Sequence, residues 1–87
     1  MVKLLRHNQT HGSTIHRFKN ARIAMFIGDH PPVHVHLLGP GFKVSIEVAT
    51  LETKGRADAK TVAEAKAWIV ENREYIMRVW VERGAKR

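Results

Sequence analysis

The chain contains no cysteine among its 87 residues. That excludes a disulfide framework and any thiolate metal site. It also lacks an apolar run approaching the roughly 20 residues needed to cross a bilayer. The start, Met1-Val2-Lys3-Leu4-Leu5-Arg6, holds too short an apolar stretch for a signal peptide. Acidic residues are scarce: eight Asp and Glu stand against fifteen Lys and Arg, a formal charge of +7. Such an excess favours nucleic acid, an acidic protein or an anionic surface as an encounter partner, although solvated charge also keeps a small protein soluble. These absences predict a cytoplasmic protein of bacterial type, with no membrane partner and one small domain. A chain this short buries only about 60–65% of its unfolded surface.

Residues 1–14 carry Asn, Gln, Thr, His, Gly and Ser without apolar periodicity. They read as a flexible N-terminal segment, leaving 15–87 as a single α+β domain. Arg22–Ile27 is apolar on both faces, as expected of a strand at the centre of a sheet. Gly28-Asp29-His30-Pro31-Pro32 is a turn, because neither proline can donate to a ladder. Val33–Leu38 reads as the next strand and Gly39-Pro40-Gly41 as a hairpin connection. Phe42–Val48 alternates strictly, which turns Phe42, Val44, Ile46 and Val48 to the core and Lys43, Ser45 and Glu47 away from it. Glu52–Arg56 suits a short, charged edge strand.

The remainder is helical. Thr61-Val62-Ala63-Glu64 has the capping-box pattern. Val62, Ala65, Trp68, Ile69, Tyr75, Ile76, Val79 and Trp80 make one apolar stripe, and Asn72 interrupts it. A single helix over 61–83 would run about 34 Å, long against strands of about 20 Å. Two consecutive helices broken near Asn72 are therefore expected, with Gly84 as a C-cap. The fold class is α+β: a small antiparallel sheet of three to four strands, one face covered by C-terminal helices. Trp68, Tyr75 and Trp80 fall on the core stripe, where aromatics are anchors more often than base-stacking platforms.

Three of the six histidines, His30, His34 and His36, fall within seven residues. Residues two apart on a strand share a face, so His34 and His36 project together. A four-residue loop, Leu38 to Gly41, pairs residue 37 with 42 and 35 with 44. That gathers Val33, Val35 and Leu37 on the apolar face and sets His34 opposite Ser45 and His36 opposite Lys43. A three-residue loop would turn both histidines into the core, so the apolar pattern selects the first register. His30 stands at the turn beside them, where Asp29 can orient an imidazole.

Such a pair with a third nitrogen or a carboxylate is a plausible divalent-metal shell, with His30, His34 and His36 as ligands and Asp29 or Glu47 completing it. A general acid–base pair acting on RNA is a second option, with Lys43 or Arg22 steadying phosphate charge. The plain alternative is a proline-stiffened turn, with Asp29 and His30 bonded to its backbone and both strand histidines merely exposed. No nucleophile or ordered motif selects a catalytic residue. The binding candidates are Asp29, His30, His34, His36 and Lys43. The Lys and Arg residues form no tight run, so nucleic-acid binding rests on net charge alone.

Arg17-Phe18, the apolar strand, Asp29-His30-Pro31-Pro32-Val33-His34-Val35-His36, the alternating strand and Asn72-Arg73-Glu74 with Trp80 occur in this order. In that arrangement the chain resembles a small bacterial and archaeal family known only as a domain of unknown function, number 4160, over about residues 15–83. Two positions depart from its pattern: Val33 stands where a proline usually precedes the first histidine of the pair, and Val48-Ala49-Thr50-Leu51 lacks the glycine often found there. The resemblance implies a partner, a small protein of another family of unknown function, number 2442, often encoded alongside. It further implies a role in a toxin–antitoxin-like pair, and it carries no reaction and no residue roles. The leading expectation is thus an interaction module, one half of a two-protein regulatory pair. A ribonuclease-like or metal-dependent hydrolase using His30, His34 and His36 is one alternative, and charge-driven nucleic-acid binding is the other.

Overall fold

A computed structural model describes residues 13–26 and 31–82. Five strands come first: β1 (Ser13–Arg17), β2 (Arg22–Met25), β3 (His34–Gly39), β4 (Phe42–Glu47) and β5 (Thr53–Lys54). Two helices follow, α1 (Ala59–Glu71) and α2 (Arg73–Glu82). The strands form one antiparallel sheet in chain order, β1-β2-β3-β4-β5. The architecture is α+β, with one strand more than the sequence pattern suggests. The extra strand is β1, which begins at Ser13; a register shift between Thr14 and His16 breaks its alternation and hides the period of two.

Apolar residues from alternate strand positions meet the helices. Ile23, Met25, Val35, Leu37, Val44, Ile46 and Val48 are buried with Ala65, Ile69, Ile76, Val79 and Trp80 in one cluster. Phe42 packs partly buried against it, so the predicted core face of the alternating strand holds. Burying each such side chain contributes about 1.5–3 kcal/mol.

The β3–β4 hairpin differs from the expected register. Its connection is two residues long, with Gly39 paired to Phe42, Leu37 to Val44 and Val35 to Ile46. Pro40 and Gly41 form the turn, and Gly41 takes the positive φ of 81° that the second turn position needs. Gly39 becomes a strand residue because the Phe42 ring lies where its side chain would be. The register therefore moves by two residues, an even step that leaves every face assignment intact. His34 now stands opposite Glu47 and His36 opposite Ser45.

Where the resembled family often has a glycine after this strand, Leu51 adopts a left-handed φ of 67°. Its N–H donates to the Glu47 carbonyl at 2.8 Å, and Glu47 N–H donates to the Glu52 carbonyl at 2.9 Å. β4 thus closes into β5 through a turn that needs a left-handed residue. β5 lies within the predicted edge segment and is only two residues long.

The helix boundaries show one correction and one agreement. α1 starts two residues before Thr61, capped by Asp58, whose carboxylate accepts both Thr61 N–H and Thr61 Oγ1–H at 3.1 Å. Asp58 outcompetes the capping box because it takes the hydroxyl that Thr61 would need for the role. The break at Asn72 is as predicted: Asn72 Nδ2 donates to the Trp68 carbonyl at 2.8 Å, and Ile76 N–H donates to the Asn72 carbonyl at 2.9 Å. Gly84 lies outside the described residues. Trp80 is an anchor at 3% exposure, whereas Tyr75 is 38% exposed and leaves the core stripe. No helix among the described residues is long and apolar enough to cross a membrane.

Candidate functional site

The sheet face turned away from the core is a grid set by strand pairing. Arg22, Leu38 and Lys43 form one row across β2, β3 and β4. Ala24, His36, Ser45 and Lys54 form the next. His34 and Glu47 share the third, with Phe26 continuing β2 on that side. Rows lie about 7 Å apart and strands about 4.8 Å apart. Ala24 is fully buried on this face, so it is a floor beneath its neighbours. Arg22 reaches across to β1 and donates from Nη1 to Thr14 Oγ1 at 2.7 Å.

Four rings run in series over this grid. Phe26 stacks on His36 with centroids 4.2 Å apart and planes 19° from parallel. His36 meets His34 edge-on at 5.0 Å, and His34 meets Trp80 edge-on at 5.9 Å. Trp80 thus closes the row from α2, at the end where β3 begins. Phe26, His36 and His34 are half-buried, so part of each ring remains at the surface. Strand pairing sets His34 and His36 on the face opposite Val35 and Leu37 and their rings touch, while at the start of β3 the His34 ring also reaches Trp80 of the core.

His34 Nδ1 lies 2.9 Å from the Pro32 carbonyl oxygen. A carbonyl only accepts, so Nδ1 carries the hydrogen and the neutral ring holds its lone pair on Nε2. Beside the ring, Pro31, Pro32, His34, Ser45, Glu47, Glu52 and Lys54 line a groove of about 220 Å³. That is below the roughly 300 Å³ at which drug-sized pockets begin, so it suits one side chain or one heterocycle. Its walls offer carboxylate acceptors and ammonium and hydroxyl donors together.

Of the predicted binding residues, His34, His36 and Lys43 share this face. Asp29 and His30 lie outside the described residues. Among the described residues no three His, Asp or Glu side chains are grouped to hold a metal ion. His16 sits on the other side of the sheet: it pairs with Ile23 and stacks on Trp68 of α1 with centroids 4.6 Å apart.

A second surface escaped the sequence reading. On the outer side of α2, Met77 is 43% and Val81 58% exposed, with exposed Glu74 and Arg78 interleaved. Val70 at the end of α1 is also exposed and shares a groove with Tyr75 and Arg78. Residues 59–82 carry four Lys and Arg (60, 66, 73 and 78) and four Glu (64, 71, 74 and 82), so the helices are neutral and the whole +7 lies elsewhere. A stripe of period 3.6 points to one buried face but does not show that the opposite face is apolar too. Met77 and Val81, one turn apart and both outside the stripe, were the available signal.

No curated protein and no solved structure matches the chain. Residues 20–81 match the sequence profile described as Domain of unknown function (DUF4160). That span covers well over half the chain, including β2 through nearly all of α2, and by it the protein belongs to the DUF4160 family.

Proposed function

We propose that this chain is a non-enzymatic interaction module, one half of a two-protein regulatory pair of the toxin–antitoxin kind. Its partner is the small protein that the family resemblance implies. The observation that carries this reading is the outer strip of α2. Exposed methionine and valine, flanked by charges of both signs, form an apolar patch with a polar rim. A neutral strip on a strongly basic chain favours a protein surface over a polyanion. The test is co-expression with the product of the neighbouring gene. A stable complex is expected, and Met77→Asp with Val81→Asp should abolish it while the fold survives. A protein that ignores that product overturns the reading.

A second reading is a hydrolase acting through His34 and His36. The carbonyl-anchored Nδ1 of His34 favours it, since this orientation leaves Nε2 as the basic nitrogen. It predicts growth arrest on expression, lost in a His34→Ala/His36→Ala double variant. A harmless wild type removes it.

A further inference from the structure

We infer that the histidine face of the sheet binds single-stranded nucleic acid. The backbone phosphates lie over Arg22 and Lys43, and a base rests against the His36–His34 rings with its polar edge towards Glu47 and Lys54. The inference concerns a different surface from the partner strip on α2 and stands independently of it.

Three observations converge on this ligand. The first is the ring row. Half-buried planar side chains on adjacent central strands offer π surface, and every base has a π-face to set against it. The second is the polarity of the grid. Arg22 and Lys43 share the row beyond His36, while the carboxylates of Glu47 and Glu52 stand at the opposite end beside the groove, with Lys54 between them and that row. Phosphate is drawn to the first region and repelled from the second. A nucleotide laid across the face therefore has one orientation, with base towards the acids and backbone towards the cations. The step from one row to the next, about 7 Å, is on the scale of a sugar and its base.

The third observation is the groove itself. It has room for one heterocycle, and its walls carry the acceptors Glu47 and Glu52 together with the donors Ser45 and Lys54. A base edge that sets a donor beside an acceptor, as every nucleobase does, satisfies both kinds of wall. Duplex is disfavoured because its bases are already stacked and paired, and among the described residues no helix lies on this face of the sheet to enter a groove.

The experiment is fluorescence anisotropy of a labelled single-stranded 12-mer titrated with the full chain across a salt series. Saturable binding is expected, with log affinity falling against log salt at a slope of about −1.4, from roughly 0.7 for each of two contacted phosphates. Lys43→Ala, at an exposed position, should flatten that slope by about 0.7. His36→Ala should weaken binding by on the order of tenfold through lost stacking, with its fold checked by circular dichroism. Absence of saturable binding at low salt overturns the inference. Binding that is indifferent to both Lys43 and His36 also overturns it, since affinity would then reside in the basic ends of the chain. So does loss of the partner-protein complex, without any nucleic-acid binding, when these two residues are changed.

Discussion

The histidine face of the sheet and the outer strip of α2 are both exposed, yet they offer opposite chemistry. The sheet face presents rings, the cations Arg22 and Lys43, and a groove walled by Glu47, Glu52 and Lys54, all set on the strand grid. The helical strip presents flexible methionine and valine among charges that cancel. Direction and charge select a ligand in the first case, and apolar area selects one in the second. A small domain has room for two such different surfaces because its core is a single layer, with the sheet on one side and the helices on the other.

The comparison breaks most completely if that shared layer is disturbed. Leu37→Ala removes a side chain with no exposure at the centre of the core and should cost about 2–5 kcal/mol, measured by urea unfolding. Both surfaces should then fail together. Its neighbour His36→Ala should cost only about 1 kcal/mol, the scale of a lost ring pair, and leave the helical strip intact. Equal costs would mean that the two sides of β3 are not distinct.

The joint between the regions comes next. Arg73 Nε donates to the Val48 carbonyl at 3.0 Å and Nη2 to the Ala49 carbonyl at 3.4 Å, tying the start of α2 to the end of β4. Arg73→Leu should cost about 2 kcal/mol and loosen α2 before β3 in hydrogen exchange. Asp58→Ala removes the α1 cap and should cost about 1 kcal/mol, with exchange accelerated at Thr61 and Val62. An unchanged melting curve would return the cap to Thr61. Leu51→Gly has the smallest expected effect. Relief of a left-handed φ, worth about 1–2 kcal/mol, offsets the lost half-buried side chain and the extra chain entropy, so stability should move by less than about 1 kcal/mol.

Much of this architecture was legible in the residues, and the misses have physical causes. Alternation in Phe42–Val48 and the position of Asn72 sufficed for the sheet, its buried side and the helix break. Face parity survived a wrong loop length because Gly39 shifted the register by an even number. That glycine entered the strand because the Phe42 ring covers it, a tertiary contact invisible in a local pattern. β1 was hidden by its irregularity, and Tyr75 lies at the rim of the stripe rather than within it, edge-on to Trp68, while Ile69 and Ile76 carry the buried stripe across the break. The histidine row was legible as a pair on one face. Its continuation to Phe26 and Trp80 was not, since those residues come from β2 and α2. Asp29 and His30 lie outside the described residues, so their part in the site remains as the sequence proposes it.

The most direct measurement is a crossed binding experiment on two double variants, His36→Ala/Lys43→Ala and Met77→Asp/Val81→Asp. Each is tested for the labelled single strand and for the co-expressed partner. Two surfaces with separate tasks predict that the first variant loses the oligonucleotide and keeps the protein, and that the second does the reverse. Loss of both ligands in one folded variant, with both retained in the other, would contradict the division.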